Sequence, residues 1–176
     1  MVATTSNEEL LDIVDKDDVV IGQMTYDMFY NFGMQKGLLI RGSTAFIRNK
    51  EGKLWIPRRL KTKRLKPNAL DFSVAEHVSA GEDYLTAVIR GFHEELDMVV
   101  KPKDLKPIGK IVPTSGMSFF TQGFILNSET SPNYNKGDFY EYFWLSPDEL
   151  IEKVKSGDAA KDAIVPMLLL IKENSY

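Results

Sequence analysis

Short apolar stretches bounded by polar or turn-forming residues recur along the chain, and this pattern is typical of β-strands. The predicted strands are residues 8–14, 19–24, 43–48, 53–57, 70–78, 105–112, 117–126 and 139–145. The turn-forming sequence Asn-Lys-Glu-Gly at 49–52 separates two of them. We therefore expect residues 43–57 to form a β-hairpin.

A longer pattern with the period of an α-helix follows the strand predicted at 70–78. Its apolar residues, spaced on one face, are Leu85, Val88, Ile89, Phe92 and Leu96. The segment Ala-Gly-Glu-Asp at 80–83 is expected to open this helix, because acidic residues are favourable in a first turn. At about 100° per residue, Glu94 lies opposite the apolar face, and Gly91 and Glu95 lie on its flank.

Other helices are predicted at 26–32, from Ser146 onward, and within 159–173. Ser146 precedes a proline and two acids, which is a favourable helix start. Pro166 is expected to kink or divide the last helix. Strands of mixed order flanked by helices indicate an α/β (α+β) fold, built as an α/β/α sandwich with a mixed central β-sheet.

Composition narrows the class of protein. The chain has 176 residues, no cysteine, two histidines and a net charge of −3. Disulfides and a cysteine nucleophile are excluded, a histidine-based zinc site is not expected, and nucleic acid is an unfavourable partner. The first residues are acidic and polar, and the longest apolar run, 164–171, is too short to cross a membrane. We expect a cytoplasmic protein with neither a membrane nor a nucleic acid as partner.

Positive charge is concentrated in one segment. Residues 57–66 contain six cations and no acid. Such a run forms either a solvated loop or a site for phosphate groups.

Some aromatic and histidine residues have two possible roles. Met117, Phe119, Phe120 and Phe124 either line an apolar pocket or belong to the core, and the core is the commoner role for such residues on a strand. His77 and His93, the latter beside the glutamate pair, are either surface residues, which is the commoner role, or catalytic residues.

Residues 76–98 resemble the signature of the Nudix family of diphosphate hydrolases. That signature is Gly, five residues, Glu, seven residues, then Arg-Glu-apolar-any-Glu-Glu-any-Gly-apolar. The matching residues are Glu82, Arg90, Phe92, Glu94, Glu95 and Met98. Glu76 stands in place of the first Gly, Gly91 in place of the Glu after the Arg, and Asp97 in place of the last Gly, so the box is partly degenerate.

The resemblance extends over most of residues 8–174. The segment 55–83 is similar to the Nudix branch that includes isopentenyl-diphosphate isomerase. The isomerase reaction itself is not expected, because that enzyme uses a cysteine, which this chain lacks, and a histidine where this chain has Ile40. The resemblance implies a Nudix domain at 36–176 preceded by an N-terminal β extension at 1–35.

The function implied by the resemblance is Mg²⁺-dependent hydrolysis, with Mn²⁺ as a possible substitute. The substrate would be a nucleoside diphosphate derivative or a similar small molecule with a diphosphate linkage. In the family, the paired glutamates bind metal and the arginine orients a glutamate, which assigns these roles to Glu94, Glu95 and Arg90. Glu141 is the candidate for a further metal ligand, with Asp138 as an alternative. Homodimers are common in the family.

The cations Arg58, Arg59 and Lys63 are expected to hold the diphosphate, since guanidinium groups suit bidentate contact with phosphate.

Gly91 leaves two interpretations open. The chain is either a weakened Nudix domain that binds a phosphorylated ligand or a protein partner, or an enzyme whose metal site is rebuilt with Glu76 or Glu82. If only a ligand is missing, Gly91→Glu is expected to raise magnesium-dependent turnover.

Overall fold

The computed structural model describes residues 9–174, which fold into groups of two or three strands separated by helices. The strands are β1 (Leu10–Val14), β2 (Val20–Thr25), β3 (Ile40–Arg48), β4 (Leu54–Arg59), β5 (Val74–His77), β6 (Leu105–Ile111), β7 (Phe119–Asn127) and β8 (Phe139–Leu145). The helices are α1 (Tyr26–Met28), α2 (Tyr84–Leu96), α3 (Pro147–Lys155) and α4 (Ile164–Glu173).

Short non-α turns extend two of these elements. The helix α1 continues as a π-helical turn, Phe29–Gly33, and then a 3₁₀ turn, Met34–Lys36, so this helical segment is longer than predicted. A second 3₁₀ turn, Pro102–Asp104, precedes β6. Among residues 9–174, no helix is both long and apolar enough to span a lipid bilayer.

The central sheet has the strand order β6-β7-β3-β4-β8, and β5 also pairs with β3. The strands β3 and β7 are parallel, whereas the other pairs are antiparallel, so the predicted mixed sheet is confirmed. The β5 strand pairs with Gly42–Ala45 of β3, and β4 pairs with β3 at Arg48. The β7 strand pairs with β3 along its whole length on one side. The β4 and β5 strands therefore both pair with the other side of β3, at different positions along it.

Helices cover both faces of the sheet. Trp55, Val88 and Phe92 belong to an apolar cluster between the sheet and α2. Phe46, Leu150 and Met167 belong to a second cluster beneath α3 and α4. The predicted α/β/α sandwich is confirmed.

The strands β1 and β2 form a separate two-stranded sheet. The predicted first strand begins at Leu10 rather than at residue 8, which lies outside the described residues. Bridges between Leu11 and Ser79, and between Val14 and Leu39, connect this hairpin to the rest of the chain. The division into an extension at 1–35 and a domain at 36–176 stays a prediction.

The α2 helix begins at Tyr84, four residues later than expected. Asp83 is the N-cap, and its carboxylate accepts a hydrogen bond from Thr86 N at 2.7 Å. Gly81 has a φ of +77°, which does not continue into a helix. At the other end, Asp97 adopts the left-handed conformation in which helices often end and which favours glycine, so it performs the backbone role of the glycine it replaces.

The two later helices follow their start signals. Ser146 and Glu149 form a reciprocal capping box at the start of α3, as the sequence indicated. Pro166 does not divide α4, because it is the third helical residue and lies in the first turn, where a backbone N–H has no helical partner to lose.

Candidate active site

Arg90, on the polar side of α2, connects the helix to β5 and to the preceding loop. Its Nη1 donates to Glu76 Oε2 at 3.0 Å and to Glu94 Oε2 at 3.3 Å. Its Nε and Nη2 contact the two carboxylate oxygens of Glu82 at 3.2 and 3.1 Å, and Nη2 also donates to the His77 carbonyl at 3.0 Å. Arg90 therefore orients three glutamates, which is the geometry expected of a bracing arginine.

Glu76 fills the space that a side chain at Gly91 would need. A Cβ placed on Gly91 would lie 2.5 Å from Glu76 Cγ, 2.5 Å from Val74 Cγ1 and 3.0 Å from Glu76 Oε1. The glutamate absent from α2 is thus replaced, in space, by a glutamate from β5. Gly91→Glu alone does not simply add a ligand, because Glu76 and Val74 leave no room for it.

Glu95 lies beside Glu76 on the inner flank of α2. Its Oε2 accepts a long hydrogen bond, 3.4 Å, from Ala75 N, and its side chain is only partly exposed. Burial raises the pKa of Glu95 well above its usual range, and the charges of Glu76 and Asp71 add to this effect. Burial also raises the pKa of Glu76 to about 7, although the Arg90 charge opposes the change. The positive charges of Arg90 and Lys161 do not offset the burial of these two carboxylates and their mutual repulsion.

Glu76 and Glu95 face a cavity of about 400 Å³. Its other charged lining residues are Arg59, Lys63, Lys66, Lys161, Asp138 and Asp162. The four cations are all paired: Arg59 and Lys161 with Asp71, Lys63 with Asp138, and Lys66 with Asp162.

The structure brings two of the three predicted phosphate-binding cations to the cavity. Arg59 and Lys63 line it, whereas Arg58 does not. Arg58 is buried, and its guanidinium contacts both carboxylate oxygens of Asp158 at 2.7 and 2.8 Å and Glu141 Oε1 at 2.6 Å. Arg58 therefore connects β4 to β8 and to the turn that follows α3.

Glu141, the candidate for a further metal ligand, is not part of the cavity wall. It lies opposite Arg58 in the β4–β8 pairing and bonds to that arginine. Asp138, its alternative, lines the cavity instead.

The adjacent glutamates of the box face different surroundings. Glu95 lines the cavity, while Glu94 is 55% exposed, does not line it and contacts Arg90. Glu82 also accepts a hydrogen bond from Ser79 N at 3.1 Å, so it fixes the loop before α2.

The carboxylates of the cavity fit a divalent cation by their chemistry. Within residues 9–174, no three histidine or acidic side chains are arranged to hold a metal by themselves. Mg²⁺, however, commonly takes one or two carboxylates and completes its shell with water and substrate phosphates. Glu76 and Glu95 suit that mode of binding, because they lie close together and the nearby cations do not fully compensate their negative charge.

Several residues of the cavity were not predicted as site residues from the sequence. Tyr26, Tyr30 and His77 line it, and His77 Nε2 lies 2.8 Å from the Tyr30 hydroxyl. Burial lowers the pKa of His77 to about 4, and the charges of Lys161 and Arg90 add to the effect, so this histidine is neutral near pH 7. It lines the cavity and is not the surface residue expected. The four-residue spacing of the tyrosines on a predicted helix was the one available hint.

The apolar residues of β7 and the turn before it divide between the two roles considered. Met117 and Phe119 line the cavity. Phe120 and Phe124 are buried, and Phe124 belongs to the cluster under α2.

An α/β/α sandwich with an arginine-braced set of glutamates on its loop–helix segment is the arrangement expected of a Nudix domain. The sequence model of the NUDIX domain matches residues 38–168, and the chain belongs to the Nudix family.

Curated relatives agree with this assignment. The chain is 37% identical to an uncharacterized Nudix hydrolase of Nostoc sp. (strain PCC 7120), over 94% of this chain and 97% of that protein. It is 34% identical to a Nudix hydrolase of Deinococcus radiodurans, over 92% of this chain and 93% of that protein.

Solved structures show the same fold. The crystal structure of DR0079 from Deinococcus radiodurans is similar with a TM-score of 0.82 and 34% identity, over 92% of this chain and 98% of that chain. The crystal structure of a MutT protein from Methanosarcina mazei is similar in fold, with a TM-score of 0.62 and 18% identity over 78% of this chain and 96% of that chain. The resemblance to the isomerase branch stays a prediction.

Proposed function

We propose that this Nudix protein is a divalent-metal-dependent hydrolase that cleaves the diphosphate linkage of a nucleoside diphosphate derivative or a similar small molecule. The observation that carries this proposal is the position of Glu76. Its side chain takes the place of the glutamate missing at Gly91 and lies next to Glu95. The Nudix box is therefore rearranged: a glutamate of β5 stands where the family has a glutamate of the helix.

Glu76 and Glu95 would hold Mg²⁺ or Mn²⁺ through carboxylate oxygens, with phosphate and water completing the coordination. Bound there, the ion would neutralise phosphate charge and position a water for attack on phosphorus. Glu141, proposed from the sequence as a third ligand, is engaged by Arg58, and we propose Asp138 in its place.

The remaining residues would orient the reactants. Arg90 holds Glu76 at 3.0 Å and so fixes the direction of its carboxylate. Glu94 acts through Arg90, at 3.3 Å, and not by direct contact with the substrate. Lys63 and Arg59, which also line the cavity, would bind the phosphate oxygens, each after exchanging part of its present carboxylate contact.

The alternative function is that of a domain that binds a phosphorylated ligand or a protein partner without efficient hydrolysis. It is favoured by the lack, among the described residues, of three acidic or histidine groups arranged around a common point. The two functions differ in whether turnover depends on metal.

The test is release of phosphate or pyrophosphate from nucleoside diphosphate derivatives and dinucleotides, with and without Mg²⁺. We expect metal-dependent release, and a loss of about 100-fold or more in Glu95→Gln, equivalent to about 2.7 kcal/mol of transition-state stabilisation. Glu152→Gln is the matched control, since that side chain is 72% exposed and pairs with nearby Lys155. No release across the panel, from protein that still binds Mg²⁺ or a nucleotide, would support the binding domain.

A further inference from the structure

The turn before β8 carries Asp138, the metal ligand proposed in place of Glu141. Asp138 and Glu95 line the same cavity but come from separate parts of the chain, the residue before β8 and the last turn of α2. Burial is the main cause of the raised pKa of Glu95, and the charge of Asp138 adds to it, so the two carboxylates are near enough to interact. A metal ion bound by both requires that the turn and the helix keep a fixed separation.

Asn135 connects the turn to the helix through its backbone. Its N–H donates to the Glu95 carbonyl at 2.9 Å. Glu95 is the last residue but one of α2, and the carbonyls of the last turn of a helix generally have no partner within the helix. The hydrogen bond from Asn135 therefore satisfies one of these carbonyls and attaches the turn to the end of the helix that carries Glu95.

The other polar groups of Asn135 fix the turn that leads to Asp138. The Asn135 carbonyl accepts hydrogen bonds from Asp138 N at 3.0 Å and from Phe139 N at 3.1 Å. Its side-chain Oδ1 accepts a hydrogen bond from Gly137 N at 2.8 Å, which is the bond of an Asx turn. Asn135 thus makes backbone hydrogen bonds to both proposed ligands, and its side chain stabilises the turn between itself and Asp138.

Aromatic side chains hold the residues on either side of Asn135. The ring centroid of Tyr134 lies 5.8 Å from that of Trp55 and 6.5 Å from that of Phe139, and both Trp55 and Phe139 are buried. Asn135 itself is exposed and does not line the cavity. A change of its side chain therefore alters the turn and leaves the apolar core intact.

We propose that Asn135 is a positioning residue that sets the separation of Glu95 and Asp138, so that both carboxylates reach one divalent cation. It would act through these two carboxylates, without contact of its own with the metal or the substrate. Residues that orient metal ligands in this way commonly contribute about 10- to 100-fold in metal affinity. The proposal rests on the proposed function in taking Glu95 and Asp138 as metal ligands.

The test measures metal binding itself, with Mn²⁺ as the only ligand. A titration followed by the electron paramagnetic resonance signal of free Mn²⁺ gives the Kd without any turnover. Asn135→Ala removes the Oδ1 acceptor and keeps the backbone groups, and it should weaken Mn²⁺ binding about tenfold. Asn135→Ser keeps a hydroxyl that can accept the Gly137 N–H without adding charge, and it should bind Mn²⁺ within about threefold of the original protein.

Two further variants separate positioning from a general effect on the loop. Asn133→Ala changes an exposed residue of the same loop and should leave the Kd unchanged. Asp138→Asn removes the ligand that Asn135 positions, so it should itself weaken binding. In that background Asn135→Ala should change the Kd by less than about threefold. A residue that only stabilised the fold would weaken binding equally with and without the Asp138 carboxylate.

An unchanged Kd in Asn135→Ala would overturn the proposal, and so would an equal loss in the Asp138→Asn background. An Asn135→Ser variant as weak as Asn135→Ala, or an original protein that does not bind Mn²⁺, would overturn it as well.

Failure of this role is distinguishable from failure of the hydrolase. Mn²⁺ binding that depends on Asn135, in protein without metal-dependent turnover, would retain the positioning role and reject the enzyme. Metal-dependent turnover that Asn135→Ala leaves unchanged would do the reverse.

Discussion

At the scale of single residues, Gly91 and Glu76 behave as one unit. Glycine in the middle of a helix costs about 1 kcal/mol relative to alanine, so its presence in α2 calls for a compensating interaction. The close packing of Glu76 and Val74 against Gly91 supplies it, because both side chains occupy the volume of a Cβ.

This coupling predicts a reversal of the usual helix preference. Gly91→Ala should lower the free energy of unfolding by about 1–3 kcal/mol, because overpacking against Glu76 and Val74 outweighs the helix propensity gained. Urea denaturation measures the change. In the Glu76→Gly background the same substitution should cost less, and equal costs in both backgrounds would contradict the coupling.

The same pair gives a functional exchange. Glu76→Gly with Gly91→Glu returns both residues to the family pattern, and Val74→Ala removes the remaining 2.5 Å contact at position 91. We expect the triple variant to recover metal-dependent turnover that Glu76→Gly with Val74→Ala loses. A triple variant no more active than that double variant would show that the position of the carboxylate on β5 is itself required.

Asp158 carries a separate prediction about pH. Hydrogen bonds from Arg58 lower the pKa of Asp158 to about 2, against an ordinary value of 3.8. Because the folded pKa is depressed, the ion pair stabilises the fold above about pH 4, and this contribution is lost as pH falls through about 2. We expect Asp158→Asn to cost about 2 kcal/mol at pH 7, and the difference should shrink toward zero near pH 2.

Denaturation of both proteins at several pH values measures this cost. Asp148→Asn serves as the control, since Asp148 is 75% exposed in its pairing with Lys172 and should cost little at any pH. A cost for Asp158→Asn that does not change with pH would contradict the role given to its charge.

At the scale of elements, the β1–β2 hairpin holds the loop that leads into α2. Asp12 is buried, and its carboxylate accepts hydrogen bonds from Gly81 N at 2.9 Å and Gln23 Nε2 at 3.0 Å. In the turn of the hairpin, Asp18 contacts Arg41, Tyr84 and Lys110. The hairpin thus fixes both the loop and the first turn of the helix that carries Arg90.

Asp12→Ala should therefore loosen this loop and misplace Glu82 and Arg90. We expect turnover to fall about tenfold, within the range that supporting partners of a metal site contribute. Hydrogen exchange of the peptide containing Gly81 should become faster in the same variant.

Asp17→Ala is the matched control, because Asp17 is 66% exposed and pairs with the neighbouring Lys16. Unchanged exchange at Gly81 in Asp12→Ala would contradict a supporting role for the hairpin.

At the scale of the whole molecule, local patterns predicted the layers well. The strands, the capped start of α3 and the apolar face of α2 all depend on residues close in sequence, and each was found near its expected place. The start of α2 was misplaced because the left-handed Gly81 and the cap at Asp83 are decided by backbone geometry rather than by the apolar period.

The site was predictable only in its local part. Arg90 and Glu82 are eight residues apart and belong to one recognisable pattern. The pairing of Arg58 with Asp158 spans 100 residues, and nothing in the cationic run distinguishes Arg58 from its neighbour Arg59. Which cation faces the cavity is decided by strand alternation and long-range packing.

The paired cations of the cavity have a further consequence. Arg59, Lys63, Lys66 and Lys161 already have carboxylate partners, so an arriving anion must displace resident acids rather than enter a vacant positive field. A weakly charged ion such as chloride gains too little to make that exchange, whereas a polyphosphate with its accompanying cation gains from several contacts together. Because the resident carboxylates compete with any arriving anion for these cations, only a highly charged ligand would bind. The pocket would thus stay free of the abundant simple anions of its surroundings.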